Sequence, residues 1–146
     1  MTHRRLISVV SSLALAAALA ACSNMGMGMN KSMSPELRLT GDQEVPANTS
    51  SAIGTGSITV AADGSVSGSV TAATLQAMAA HIHVGAVGVN GPVIIPLTGG
   101  PGGVWAVPDG AKLTSEQMDA YKAGNLYVNV HTAEHKGGEI RTQLKP

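Results

Sequence analysis

The sequence predicts an all-β fold: an antiparallel, Greek-key-like sandwich or barrel of about seven to eight strands with one short helix. Three observations predict it. Short segments of alternating apolar and polar residues recur through residues 36–146, turns rich in Gly and Pro separate them, and only one segment has helical character. Phe is absent and the chain has one Trp and two Tyr, so Val, Ile, Leu and Ala must fill most of the core.

The strands follow one another from the start of this domain. Leu37 and Leu39 alternate with polar residues in the first strand. The segment "GTGSITVAADGSVSGSVTAATL" predicts a hairpin that turns at Asp63 and Gly64, because an Asp-Gly pair suits the backbone of tight turns. Five further strands are predicted in the segments "MAAHIHVG", "GPVIIPLTG", "GGVWAVP", "NLYVNVHT" and "GEIRTQL".

One segment, "LTSEQMDAYKAGN", predicts a helix. Thr114 can cap its first turn together with Gln117, three residues further on, in the pattern of a capping box. Gly124 is well placed to end the helix, because glycine readily adopts the left-handed conformation that follows a last turn.

Residues 1–21 have the pattern of a signal peptide. Arg4 and Arg5 precede an apolar run that is shorter than the roughly 20 residues needed to cross a bilayer. The run ends in "LAAC", which resembles the bacterial lipobox, and this predicts that Cys22 is lipidated and anchors the chain to a membrane. Ser23 is compatible with the outer membrane, so we expect a periplasmic or cell-envelope location. The alternative is an ordinary secretory signal with an incidental cysteine.

Residues 22–35 are rich in Met, Gly, Ser and Asn and have no apolar periodicity, which is typical of a flexible tether. Four thioether side chains lie in this segment, and soft sulfur ligands favour Cu(I). They are Met25, Met27, Met29 and Met33. A linker that is rich in Met for no chemical reason is the simpler interpretation.

Composition and motifs exclude several functions. Without Arg4 and Arg5, the nine acidic and seven remaining basic residues give a formal net charge of −2, and no basic patch predicts a nucleic-acid partner. The sequence has no second apolar span, no G-x-S-x-G or H-E-x-x-H motif and no C-x-x-C pair. Asp42, Glu44 and Glu139 are carboxylates without an evident partner, so no paired-carboxylate chemistry is predicted.

Alternation places three histidines together. In "AHIHV" the apolar Ala80, Ile82 and Val84 share one face of the strand, so His81 and His83 share the other. The strand "LYVNVH" repeats this arrangement, since its apolar residues alternate with Tyr127, Asn129 and His131. If the apolar faces form the core, all three imidazoles face outward.

This spacing suits a metal ion. Residues two apart in a strand are roughly 6.8 Å apart, close enough for His81 and His83 to lean towards one ion. His131 is the natural third ligand, whereas His135 could be a fourth ligand or a solvated loop residue. Sites made only of imidazoles suit Zn and Cu, and the methionines of the tether favour copper.

Three ordered blocks resemble the chordin-type (CHRD) domain family. They are "LTGDQEVPANTSSAIGTGSITV", "AHIHVGAVGVNGPVIIPL" and "GNLYVNVHTAEHKGGEIRTQL", which together extend over most of residues 36–146. The resemblance implies an extracytoplasmic β-sandwich, a module that belongs to growth-factor-binding proteins in animals. His135 and Lys136 stand where the family tends to have Asn-Pro, so the resemblance assigns His135 no role.

A more distant likeness links the histidines to the copper site of Cu/Zn superoxide dismutase. His81, His83 and His131 are similar to copper ligands that point out of a β-barrel. No histidine lies between His83 and His131, so the bridging imidazole and the zinc ligands have no counterpart and no zinc site is expected. Arg141 would correspond to a guiding charge, but a solvated strand arginine is the simpler interpretation.

Three functions remain open. The favoured one is a lipid-anchored protein that binds copper for storage or transfer. The first alternative is a metal-free interaction or adhesion module, and the second is a copper-only enzyme that resembles superoxide dismutase. Catalysis is the less favoured possibility, because the bridging histidine is missing and no residue is a clear guiding charge.

Overall fold

The protein is described by a computed structural model that covers residues 35–146. The predicted signal peptide, Cys22 and the tether methionines Met25, Met27, Met29 and Met33 lie outside these residues. Nine strands and one α-helix form the described part of the chain. Their bounds are β1 Leu37–Thr40, β2 Ile53–Val60, β3 Val66–Thr71, β4 Ala77–Val84, β5 Val93–Pro96, β6 Thr98–Gly99, β7 Val104–Ala106, α1 Ser115–Lys122, β8 Leu126–Thr132 and β9 Ile140–Leu144.

The strands form one antiparallel sheet in the order β5-β4-β8-β9-β1-β2-β3-β7-β6. The two outermost strands, β5 and β6, are separated in sequence by Leu97 alone, and the Leu97 N–H donates to the Ala80 carbonyl of β4 at 2.9 Å. The sheet therefore nearly closes into a barrel, which confirms the predicted fold class. The predicted segment "GPVIIPLTG" divides into β5 and β6 at Pro96, because proline has no N–H to continue the ladder.

Alternation also positions the core. Leu39, Ile82, Val128, Val130 and Ile140 are buried almost completely, and they come from four strands that are neighbours in the sheet. Val, Ile, Leu and Ala make up the cluster of buried hydrophobic residues, as the lack of aromatic residues predicts.

The helix begins and ends where its caps predict. The Thr114 hydroxyl accepts from the Gln117 N–H at 3.2 Å, and the Gln117 side-chain oxygen accepts from the Thr114 N–H at 2.9 Å. Gly124 follows the last turn with φ of 74°. No helix among residues 35–146 has the length and apolar character needed to cross a bilayer.

The hairpin of β2 and β3 is confirmed, with Ile58 opposite Gly68 and Val60 opposite Val66. On the other side of the sheet, β4 pairs with β8 and β8 with β9. The outer face of these three strands is covered by loops, including residues 85–92 between β4 and β5 and residues 133–139 between β8 and β9. This covered outer face carries the histidines.

Candidate metal centre

The pairing of β4 with β8 brings the three histidines together. Ala79 lies opposite His131 and His81 lies opposite Asn129, so His81 and His131 are diagonal neighbours on the outer face. His81 Nδ1 lies 3.0 Å from His131 Nε2. One ring nitrogen from each of His81, His83 and His131 lies within 4.8 Å of the others. The structure thus brings together the three residues that alternation places on one face.

These separations are close to those of a ligand set. Two nitrogens that each lie 2.0–2.1 Å from one ion can be at most about 4 Å apart. The 3.0 Å contact between His81 and His131 satisfies this limit, whereas a separation near 4.8 Å exceeds it. Side-chain rotations that move the ring nitrogens by less than about 1 Å would allow all three to bind one ion.

His83 is oriented by the loop of residues 85–92. Its Nδ1 donates to the Gly91 carbonyl at 2.9 Å, since a carbonyl oxygen can only accept. Burial lowers the pKa of His83, so the ring is neutral at pH 7 and Nε2 carries a lone pair. Nε2 is buried and has no hydrogen-bond partner within residues 35–146. Only glycine fits at position 91, because a Cβ there would overlap the Val84 carbonyl oxygen.

His131 has the same arrangement. Its Nδ1 donates to the Lys136 carbonyl at 3.0 Å, which leaves Nε2 to accept the proton of His81 Nδ1. Burial lowers the pKa of both His81 and His131. Backbone carbonyls that hold Nδ1–H are typical outer-shell partners of metal-bound histidine, because they fix the tautomer that leaves Nε2 free.

The imidazoles open into a cavity of about 370 Å³. Met78, Val93 and Lys136 line it together with the histidines, and its lining residues include no carboxylate. The sequence does not predict that Met78 lies beside the histidines. The register between β4 and β8 shifts between Ala77 and Ala79, and this bulge carries Met78 to the cavity.

The interpretation of Arg141 as a solvated strand arginine is wrong. Only 1% of this residue is exposed. Its guanidinium lies 3.3 Å from the centroid of the Tyr127 ring, and the opposite neighbour of that ring is His83, stacked at 4.6 Å between centroids. Arg141 also donates to Asn90 Oδ1 at 3.2 Å and to the Val89 carbonyl at 3.0 Å. It supports the loop behind His83 and does not line the histidine cavity, so the structure does not place it as a guiding charge.

A buried carboxylate lies on the same outer face, which the sequence did not indicate. Glu44 is 5% exposed, and burial raises its pKa, although Arg141 acts in the opposite direction. Glu44 Oε1 and Asn129 Oδ1 are buried and have no hydrogen-bond partner in the described part of the chain. In the sheet, Asn129 lies opposite His81 of β4 on one side and opposite Arg141 of β9 on the other. Its side chain also interacts with Glu44, so Asn129 lies between the histidines and the buried carboxylate.

His135 is not part of the group. Its backbone N–H donates to Thr132 Oγ1 at 3.2 Å, and its residue lines a different cavity, of about 260 Å³, beside Pro46. Of the two predictions for His135, the loop residue fits its position and the fourth ligand does not. Among the described residues, the group of nearby ligand atoms contains His81, His83 and His131.

The lowered pKa values predict how stability depends on pH in the metal-free protein. The folded-state pKa values of His81, His83 and His131 lie below 6.5, so just below pH 6.5 the unfolded chain binds more protons than the folded one. Stability should therefore fall as the pH falls from 7.5 towards 6. Glu44 acts with the opposite sign at lower pH, above its ordinary pKa of 4.5, since its raised pKa lets the folded state take up a proton before the unfolded chain does.

Thermal unfolding in the presence of a chelator tests this prediction, and the Glu44→Gln variant ensures that the Glu44 carboxyl does not affect the result. In that variant the melting temperature should decrease from pH 7.5 to 6, and replacing His83 with Gln as well should make the decrease shallower. A melting temperature that stays constant or rises over this range would contradict the lowered pKa values.

Comparison with known families assigns residues 36–144 to the CHRD domain. The match covers most of the described chain, including β4, β8 and the loops that hold the histidines. No curated protein and no solved structure gave a match.

Proposed function

We propose that this chain, which belongs to the CHRD domain family, is a lipid-anchored extracytoplasmic protein that binds copper. His81, His83 and His131 are the proposed ligands, and storage or transfer of the ion is the proposed role. The observation that carries the proposal is the convergence of three imidazoles, with one ring nitrogen of each within 4.8 Å of the others and with the buried His83 Nε2 making no direct hydrogen bond among the described residues. A buried acceptor without a partner is costly, and a bound cation would satisfy it.

The state of each ring supports metal binding. Carbonyl oxygens hold Nδ1–H of both His83 and His131, so each Nε2 carries a lone pair without any change of tautomer, although that of His131 accepts a hydrogen bond from His81. At His81, Nδ1 would have to release the proton that it shares with His131. Burial already lowers the pKa of all three imidazoles, which reduces competition from protons for the ligand nitrogens.

Copper is the proposed ion because of the ligand types. Imidazole nitrogen binds both copper and zinc well, but the four methionines of the predicted tether add thioethers, which favour Cu(I). The lining of the cavity adds a further argument, since it contains Met78 and no carboxylate that would compensate the charge of a divalent ion.

The anchor and the location are supported by the sequence alone. The apolar run of residues 6–20 and the "LAAC" segment would direct export and lipidation at Cys22. The tether of residues 22–35 would then connect the lipid to the domain at the periplasmic side of the outer membrane. Nucleic acid has no place in this proposal, because the net charge of the mature chain is −2.

Titration of the metal-free protein with Cu(II) and, under reducing conditions, with Cu(I) tests the proposed ligands. Replacing His131 with Ala should weaken binding by at least about 100-fold, because even the loss of an outer-shell partner costs 10- to 100-fold. His135→Ala is the matched control and should bind as the parent does, since His135 lies outside the group. Circular dichroism should show that each variant is folded. Stoichiometric binding that persists when both His81 and His131 are replaced would exclude the proposed site.

A metal-free interaction module is the second candidate, and one observation favours it. The hydrogen bond from His81 Nδ1 to His131 Nε2 satisfies both nitrogens without an ion. Exposed apolar residues, among them Met78 and Val93, also lie at the rim of the cavity and could contact a partner protein. The same titration decides between the candidates, because such a module would take up no stoichiometric copper.

A further inference from the structure

We infer that the histidine site selects the cuprous ion and that Met78 supplies its fourth ligand through the thioether sulfur. The inference rests on the proposed function and deepens it, because the three histidines alone do not decide between oxidation states. It is carried by the position of Met78, by the charge of the cavity and by the number of available ligands.

The position of Met78 is unusual for a large apolar side chain. Strict alternation from His81 would place it on the core face, with Ala80 and Ile82. The bulge between Ala77 and Ala79 interrupts that alternation, and Met78 is instead 69% exposed and lines the histidine cavity. Bulges commonly redirect a side chain next to a functional site, at the cost of a regular ladder.

The charge of the cavity favours a monovalent ion. Three neutral imidazoles and a thioether carry no formal charge, and the cavity lining contributes Lys136 but no carboxylate. A divalent ion would remain largely uncompensated in these half-buried surroundings, whereas a monovalent ion pays a much smaller desolvation penalty. The neutral ligand set therefore lowers the desolvation penalty of the cuprous ion relative to zinc and cupric ions.

Ligand number and softness point to the same ion. Three nitrogens leave one position open in a four-coordinate site. Thioether sulfur is a soft ligand that selects Cu(I), while zinc and cupric ions prefer nitrogen, oxygen or thiolate. Because Met78 is exposed and unbranched, its side chain can reorient over the cavity without disturbing the core.

The test uses the full chain with Met25, Met27, Met29 and Met33 all replaced by Ser, so that the tether supplies no sulfur ligand. In this parent we compare Met78 with Met78→Leu, which keeps an apolar side chain of similar size. Cu(I) affinity is measured by competition with a chromophoric chelator under reducing conditions, and Cu(II) affinity by calorimetry. Met78→Leu should weaken Cu(I) binding at least about 10-fold and change Cu(II) binding by less than about 3-fold.

X-ray absorption at the copper edge provides a second measurement. The parent loaded with Cu(I) should show one sulfur neighbour, and Met78→Leu should show none. Val93→Ala is the matched control, because it alters the apolar rim of the same cavity without removing a ligand atom.

Equal Cu(I) affinity in the parent and in Met78→Leu would overturn the inference and leave the proposed function intact. A loss of Cu(I) affinity in Val93→Ala as large as that in Met78→Leu would also overturn it, because the effect would then come from the apolar rim. If the parent binds neither oxidation state of copper, the proposed function itself fails, and this inference fails with it.

Discussion

Replacing Arg141 with Met is expected to lower the free energy of unfolding by about 3 kcal/mol. The guanidinium is almost completely buried on the outer face of β9. It donates to Asn90 Oδ1 and to the Ala86 and Val89 carbonyls at 3.0–3.2 Å. Hydrogen bonds from a charged donor each contribute about 1.5–3 kcal/mol, but the partly exposed acceptors would regain water in the variant. Methionine keeps the apolar contact with Tyr127 and loses the donors.

The same substitution should also weaken metal binding, although Arg141 contacts no ligand nitrogen. Arg141 anchors residues 86–90, and the next residue, Gly91, holds Nδ1 of His83 through its carbonyl oxygen. The Tyr127 ring that stacks on His83 also loses the guanidinium behind it. We expect copper affinity to fall about 10-fold, the lower end of the effect of losing an outer-shell contact.

Denaturant unfolding with and without a chelator measures the first effect, and copper titration of the folded variant measures the second. Arg38→Met is the matched control, because Arg38 is an exposed arginine of β1 and its replacement should change neither quantity by much. An Arg141→Met variant as stable as the control would show that the buried hydrogen bonds contribute little.

Replacing Gly138 with Ala is expected to destabilise the fold by about 3 kcal/mol or more. Gly138 has φ of 132°, a conformation that residues with a Cβ rarely adopt. A Cβ at this position would overlap Glu44 Oε1 and would lie 2.7 Å from Asn129 Nδ2. Both neighbours are buried, so they have little room to move. The backbone strain and the overlap add to each other.

Gly137→Ala is the control for this prediction, because a Cβ at Gly137 would meet no atom within 4 Å. The two variants change adjacent glycines by the same methyl group, so the difference between their unfolding free energies measures the combined cost of backbone strain and close packing at Gly138. Combining Gly138→Ala with Glu44→Ala should recover part of the loss, since it removes the overlapped carboxylate. Equal stability of the two single variants would mean that the outer face can rearrange around a methyl group.

Local patterns in the sequence were sufficient for much of this fold. The Asp63-Gly64 turn positions the hairpin of β2 and β3, and the capping box at Thr114 positions the helix. These features depend on residues within a few positions of one another, so short-range chemistry determines them. Alternation also predicts which face of a strand is apolar, and therefore that His81 and His83 share the opposite face.

Whether that opposite face is exposed to solvent or buried could not be predicted. Alternation indicates an outward face, but His83, Tyr127 and Asn129 are buried there beneath loops. The contacts that bury them join distant parts of the chain: Asn90 Nδ2, for example, donates to the Val45 carbonyl, 45 residues away. No pattern within one segment specifies which loop will fold over which strand.

The sequence by itself determined the β-rich class, the caps, the turns and the common face of the histidine pair, because each follows from the conformations of neighbouring residues. Tertiary structure alone decided three features of the site. It set the 3.0 Å contact between His81 and His131, the bulge that directs Met78 to the cavity and the burial of Arg141 behind His83. All three depend on strand register and on loop packing, which arise only when segments far apart in the chain meet.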